Sequence, residues 1–478
     1  MAERSDRKLF LGARLRRLRR ELDITQTRMA EDLGVSPSYL NLLERNQRPV
    51  TAQVLLRLAE AYELDLRSFS AEAEASGAAS LTEVFADPLF KDMALSRHEV
   101  AEMVETAPGV AEAVVRLYSA YANHRRLSEL GAEANSTELG VLTTTDWVRD
   151  VIQEQRNYFP ELDELGETLA AELERDAQAL QDDIGAALRR RLTARHGIKV
   201  QVATVELMQG ALRRYDFHRK RLFLSELLSA SGRTFGVAYQ LALLEGGEAI
   251  NAVVQRAGPP DSSTRRLLRI SLANSLAAAV LMPYGAFQAA AEAGGYDIER
   301  LKTRFGVSFE QACHRLTTLS KSGARGVPFF MLRVDCAGNI SKRFAATSFP
   351  FARFGGSCPR WNIHACFKTP GRIVTQIVET PDKVRYFTLG RTVRRAASLY
   401  SSEDDDLAIG LGCELKHASK LVYSRGLDLG APLVTPIGPA CRICERQECP
   451  QRAAQPVSRT LMVDEAKKWA SPYPFTPG

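Results

Sequence analysis

The sequence predicts a multidomain chain: an all-α head, an α+β middle domain and an α+β C-terminal domain. Three observations predict it. The 478 residues exceed what a single hydrophobic core organises. Two stretches, AEAEASGAAS (71–80) and GAEANSTELG (131–140), are small and polar and read as joints. The apolar period changes along the chain, from helical spacing at the start to strand-like runs between Gly and Pro turns near the end. The segments that follow are 1–70, a linker and helical stretch over 71–145, 146–322 and 323–478.

Composition narrows the class. Hydrophobic residues make up 45% and charged residues 25%, the balance of a globular protein. No apolar run reaches the roughly 18–20 residues that span a bilayer, and MAERSDRKLF lacks the apolar core of a secretion signal. A cytoplasmic protein with no membrane partner is expected. The eight cysteines are then not structural disulfides. The net charge of +6 is modest, but RLRRLRR (14–20) gathers five arginines in seven positions.

The head reads as five short helices over 9–69. In the first, Leu11, Leu15, Leu18 and Leu22 share an inner face. Thr25 caps the second and Gly34 ends it. Ser36 caps the third, with Pro37 at its first position. A fourth follows Thr51 and a short fifth follows Leu64. Helices two and three form a helix-turn-helix, whose second member sets its first residues in the major groove of DNA. The DNA-facing residues are therefore Ser36, Ser38, Tyr39 and Asn41, with Arg45 further along, Gln26 opening the preceding helix and Arg17 in the arginine run. Phosphate contacts supply much of DNA affinity, which gives that run a role. TQTRMAEDLGVSPSYLNLLERNQRPVT resembles the lambda-repressor-like (XRE-type) domain. That resemblance implies double-stranded DNA as partner and a homodimer or higher homo-oligomer on palindromic sites. Residues 81–130 look largely helical, with Val114, Leu117 and Tyr121 at helical spacing, as a dimerisation helix or a spacer.

The middle segment reads as one long helix over 161–195, strands in IKVQVATV and KRLFLSELL, and helices at 234–245, 271–283 and 305–319. The pieces FGVAYQLALLE, LANSLAAAVLMP and FGVSFEQACHRLTTL resemble the ImmA/IrrE type of zinc-peptidase domain. In active members the first of these helices carries two histidines four apart, one imidazole above the other, with a glutamate between. Here those positions hold Tyr239 and Leu243, with Gln240 in place of the glutamate. The third ligand position is Ile270. The seven histidines include no pair four apart. The domain is thus a degenerate zincin without catalytic residues, and a metallopeptidase acting on a repressor is disfavoured. Two outcomes are open for the vacated site: a pocket for another ligand, or a site packed shut.

The tail contains strand-like FFMLRVD, RIVTQIVE and VRYFTLGRTV between Gly and Pro turns, an α+β domain expected to be GAF-like in layout. Together with the two earlier parts, GVPFFMLRVDCAGNISKRFAAT, FARFGGSCPRWNIHACF, AIGLGCELKHASKLVYSRGLDL and TPIGPACRICERQECPQRA resemble the short-chain fatty-acyl transcriptional regulators. The resemblance covers essentially the whole chain. It implies a regulator that senses a short acyl-CoA, of the propionyl- or acetyl-CoA type, and controls carbon metabolism. Coenzyme A needs cations for its phosphates, an aromatic face for adenine and a narrow apolar end for the acyl group. The candidates are Arg156, Tyr158 and Phe159 in QRNYFP, Arg190 and Arg195 on the long helix, Arg266 and Arg269 before LANSLAAA, and Tyr239 at the acyl end.

CRICERQECP has cysteines spaced C-x2-C-x4-C. Arg442 and Arg446 nearby favour thiolates. Three close cysteines and one distant one suit a [4Fe–4S] cluster or structural zinc. The resemblance favours the cluster, held by Cys441, Cys444, Cys449 and a fourth ligand, Cys413, with Cys358 as the alternative. Cys313, Cys336 and Cys366 read as buried thiols. A second functional reading follows: an iron–sulfur redox or oxygen sensor with a vestigial pocket.

Overall fold

The computed structural model describes residues 12–62, 80–121 and 144–476, apart from 22–23, 46, 94, 108, 116, 119–120, 348, 352–356, 395–405 and 457. The head contains α1 (Gly12–Glu21), α2 (Gln26–Asp32), α3 (Pro37–Glu44) and α4 (Ala52–Tyr62). Thr25 Oγ1 accepts from Arg28 N and Ser36 Oγ from Tyr39 N, the two predicted N-caps. Gly34 ends the α2 turn at φ 61, where an L side chain is strained. Leu15, Met29, Leu33, Leu40, Leu43 and Leu58 form its core. The expected fifth helix and both joints fall outside the described residues, apart from Ser80.

Residues 80–121 are not a bare spacer. Helical residues 80–85, α5 (Arg97–Thr106) and the helical stretch from 109 enclose a small core of Leu81, Val84, Val100, Val104, Ala111 and Val115. Tyr118 donates to Asp87 at 2.7 Å and closes one side.

The rest begins with α6 (Thr144–Glu154), α7 (Pro160–Ala179) and α8 (Ile184–His196). The single helix expected over 161–195 is thus two. Gln181 turns the chain at φ 54, and Asp183 caps α8 by accepting from Ala186 N at 2.6 Å. The new direction lets buried Arg191 bind Glu245 (2.6 Å) and Glu172 (2.7 Å), tying three helices through one guanidinium. Gly197 ends α8 in the left-handed conformation and delivers β1 (Lys199–Ala203). A short α9 (Val205–Met208), β2 (Arg213–Asp216) and β3 (Arg221–Ser225) follow. Strand order is β1-β3-β2, with β1 parallel and β2 antiparallel to β3.

Then come α10 (Ala230–Glu245), α11 (Gly247–Ala257), α12 (Ser262–Leu281), α13 (Tyr284–Ala293), α14 (Ile298–Phe305) and α15 (Phe309–Leu316). The last expected helix therefore starts only after Gly306, with Ser308 and Gln311 forming a capping box. The C-terminal part is one six-stranded sheet of β4 (Phe330–Val334), β5 (Ile340–Ala345), β6 (Val374–Glu379), β7 (Arg385–Arg394), β8 (Asp406–Glu414) and β9 (Val434–Pro436). Its order is β5-β4-β8-β7-β6-β9, antiparallel except where β9 joins β6. α16 (Asn362–Ala365) lies against β6, β7 and β8.

The middle and C-terminal segments share one core. Leu281, Phe287 and Leu316 belong to the same buried cluster as Met331, Phe387, Leu389 and Leu411. Polar contacts cross the same seam: Arg333 and Lys342 both reach Glu310 (3.0 and 2.8 Å), and Gly295 accepts from Val422 N at 2.8 Å. The two segments are therefore packed against each other as one continuous interior.

Candidate functional site

On the head, Ser38 and Arg45 are exposed and Asn41 half-exposed on one face of α3. Ser36 is exposed too, but its hydroxyl oxygen is held by the cap, and Tyr39 packs partly into the core. The side chain of Arg17 lies outside the described residues. The residue that sequence reasoning missed is Glu44, at 5% exposure on the inner end of α3. Its carboxylate receives Arg19 Nε (2.7 Å) and Gln26 Nε2 (3.1 Å), and its carbonyl receives Arg16 (2.8 Å). Gln26 is thereby fixed at the start of α2, ready to present its other amide atom. Arg16 and Arg19 are correspondingly turned to this buried carboxylate rather than left as free phosphate contacts.

The vacated metal region is neither open nor packed shut with apolar side chains. Tyr239 and Gln240 are buried on α10, Leu243 is half-buried and Ile270 on α12 is 46% exposed. Into this space β2 sends Arg213. Its guanidinium lies 4.0 Å from the centre of the Tyr239 ring, and Nη1 donates to Gln240 Oε1 at 3.0 Å. A cation thus stands against the residues that replaced a zinc ligand and the general base. Desolvation pulls the Arg213 pKa down, opposed by Tyr239. Burial raises the Tyr239 phenol, offset in part by Arg213 and Arg269. No carboxylate pairs with Arg213 among the described residues. A guanidinium presents N–H donors in a planar fork that matches the geometry of a carboxylate or phosphate. Sequence reasoning missed Arg213 because β2 is four residues long and reads RRYD.

The other predicted effector residues do not converge. Arg269 faces the same region and bonds Asn251 Oδ1, while Arg266 is exposed on α12. Arg190 pairs with Asp182, and Arg195 reaches Glu172 and Glu245 at 3.7 and 3.8 Å. Arg156 takes a left-handed turn at φ 49 between α6 and α7. Tyr158 stacks edge-on against Tyr284 at 5.8 Å, and Phe159 is buried at the start of α7. Phe159 is therefore core and offers no face to an adenine.

The cysteines regroup. Cys358, Cys441, Cys444 and Cys449 line one recess. Cys413 does not: it sits in β8 opposite Phe387, inside the shared core, and burial pushes its thiol up to about 12. The fourth sulfur of the group is Cys358, not Cys413. Its sulfur accepts N–H bonds from the Gly438 and Arg360 backbones. A Cβ on Gly438 would meet Cys444 Sγ at 2.5 Å, so only glycine admits this approach. Arg446 is directed at the carbonyls of Ile437 (2.9 Å), Glu379 (2.6 Å) and Thr380 (2.9 Å). Buried Arg452 donates to the carbonyls of Cys444 (3.0 Å) and Cys441 (3.4 Å) and lies 4.7 Å from the Phe475 ring. These two arginines shape the loop; Arg442 is exposed. Among the described residues no three His, Cys, Asp or Glu side chains are drawn to metal-binding separation. The donor set still fits a thiolate-held group: four sulfurs on one recess, a glycine cradle and N–H donors to sulfur. Of the remaining cysteines, Cys313 and Cys366 are buried as expected, but Cys336 is exposed in a turn.

Comparison with known proteins matches these parts in the same order. Residues 15–69 match the helix-turn-helix family, 193–317 the IrrE N-terminal-like domain, and 318–473 the short-chain fatty acyl coenzyme A regulator C-terminal domain. The HTH-type transcriptional regulator RamB of Mycobacterium tuberculosis (strain ATCC 25618 / H37Rv) is 41% identical, over 98% of each chain. A propionyl-CoA carboxylase regulator of Cereibacter sphaeroides is 40% identical, again over 98% of each. A solved Mycobacterium tuberculosis transcriptional regulator superposes with a TM-score of 0.65 at 39% identity, covering 70% of this chain and 99% of that one.

Proposed function

Because the chain belongs to the family of helix-turn-helix short-chain fatty acyl coenzyme A regulators, we propose that a short-chain acyl-CoA, of the propionyl- or acetyl-CoA type, is its effector and docks at the vacated metal region. The family makes it a DNA-binding transcriptional regulator of acyl-CoA metabolism. The observation that carries the effector reading is Arg213 on Tyr239 and Gln240. It offers an unpaired cation to an anionic ligand at a site whose walls, Leu243 and Ile270, are apolar. Effector binding shifts the protein only if affinity differs between states. The shared core supplies the route by which that difference reaches the sheet. Calorimetric titration with acetyl-, propionyl- and butyryl-CoA tests the reading, with saturable binding of at least one expected; no binding by any thioester would end it.

Two further parts belong to this reading. Cys358, Cys441, Cys444 and Cys449 hold a [4Fe–4S] cluster, with structural zinc as the alternative occupant. A bound cluster would add a group that responds to electrons or oxygen; Arg446 ties its loop to the sheet and Arg452 braces the loop from within. The protein works as a homodimer. Val110, Leu117 and Tyr121 leave an exposed apolar row on the helical stretch from 109, Leu117 at 73% exposure, which a second copy would cover. Leu117→Glu is expected to halve the mass measured by light scattering.

A further inference from the structure

β1 is an edge strand, and its free edge forms one wall of a groove. Lys199 N donates to Lys220 O at 3.0 Å, and Ala203 O accepts from Glu226 N at 2.9 Å. Residues 199, 201 and 203 therefore direct their peptide groups to β3. Successive residues of a strand alternate, so Val200 and Val202 turn their N–H and C=O groups outward. Among the described residues nothing bonds these groups. The facing wall is α8, and the groove of about 590 Å³ between them is lined by Arg189, Arg190, Thr193, Ala194, Lys199, Val200 and Gln201. Gly197, the left-handed joint between helix and strand, sets the two walls side by side.

Charge selects the occupant. Arg190 is already paired with Asp182. Arg189 and Lys199 are exposed, and neither has a carboxylate partner among the described residues. Val202 is 59% exposed at the end of the edge. A bare edge between a strand and a helix accepts an extended chain by strand addition, main chain for affinity and side chains for selection. Unpaired cations along it repel basic segments and favour acidic ones, and they also blunt accidental pairing of like edges. This edge lies on the far side of β3 from Arg213, so it is separate from the vacated metal region.

We propose that the β1–α8 groove is a docking site for an extended acidic peptide of a partner protein, which adds as a strand to β1. Nucleic acid is disfavoured, because its phosphates accept from outward N–H groups but offer no donor to the C=O groups that alternate with them.

The test uses the full chain and a fluorescein-labelled decapeptide of alternating glutamate and valine, read by anisotropy. Saturable binding is expected, with the lysine–valine counterpart inert. The double charge reversal Arg189→Glu with Lys199→Glu should exchange that preference. Val202→Pro removes one outward N–H without touching the β3 ladder and should weaken binding at least about tenfold. A peptide N-methylated at alternate amides keeps its charge but cannot complete the ladder, and it should fail against the unaltered protein; this arm needs no variant to fold. The proposal is overturned if the acidic peptide does not saturate or if the lysine peptide binds equally. It is likewise overturned if the N-methylated peptide binds as well as its parent, or if a DNA duplex displaces the peptide while the charge reversal abolishes the duplex contact.

Discussion

Two regions of this molecule bear on metal chemistry, and they have moved in opposite directions. The α10 helix has the frame of a zinc site, yet its ligand positions hold Tyr239, Leu243 and Ile270, and Arg213 lies against Tyr239 and Gln240. The cysteine recess is built from loops and one short 3-10 turn (Cys441–Ile443), yet it gathers four sulfurs from two distant segments beside Gly438. The scaffold does not make a metal site; the donors do. Zinc needs deprotonated N, O or S ligands around one point, and a phenol, an amide and two aliphatic side chains supply none. What a retained scaffold can do is hold a different cation in place. Arg213 brings a fixed positive charge to a half-buried position, suited to anions that zinc would have ligated instead.

The contrast breaks most visibly at the cysteines. Cys358→Ser should abolish cluster-type visible absorption and bound iron or zinc in anaerobically purified protein. Cys413→Ser should leave metal per folded molecule unchanged, although it places a hydroxyl in the shared core at a cost of about 1–3 kcal/mol. The opposite pattern would return Cys413 to the ligand set. The α10 side can be pushed back towards zinc. Tyr239→His, Gln240→Glu, Leu243→His and Ile270→Glu together with Arg213→Ala should gain one zinc per chain by elemental analysis. The same four changes with Arg213 retained should bind zinc at least about tenfold more weakly, since a resident guanidinium repels the ion.

A smaller effect tests the seam that joins the two regions. His314 on α15 is largely covered, 4.5 Å from the Phe344 ring and 3.3 Å from Asn157 Nδ2, with Glu310, Lys342 and Arg315 around it. Burial holds its pKa down to about 3, with Lys342 adding to the shift. An unfolded imidazole titrates near 6.5. Stability is therefore complete above that value and falls as pH drops towards 3, by up to about 1.4 kcal/mol per pH unit. His314→Gln should flatten this part of the pH–stability curve measured by urea denaturation. An unchanged slope would mean that other groups carry it.

How far the sequence could be read follows the same division between local and distant chemistry. Caps and stops are local, so Thr25, Gly34, Ser36 and Pro37 marked the head within a residue or two. The emptied zinc helix was legible for the same reason: its ligands would have stood at fixed spacing. What was hidden lay in long-range pairing. Glu44 looked like a surface residue at the end of α3 until Arg16, Arg19 and Gln26 closed on it. Cys413 and Cys358 are indistinguishable as distant cysteines; only the burial of β8 and the approach of Gly438 separate them. β2 carried too few residues to show a strand period, and Arg213 was concealed with it. The split at Gln181–Asp183 had a local signal, an Asp three residues before Ala186, but a continuous helical pattern overrode it.

The proposed use of the vacated metal region as a receptor for an acyl-CoA rests on Arg213. It is tested most directly by calorimetric titration of propionyl-CoA into the unaltered protein and into Arg213→Ala. Saturable binding that weakens at least about tenfold in the variant, a loss of about 1.4 kcal/mol, is the predicted result. Equal affinity in the two proteins would contradict it.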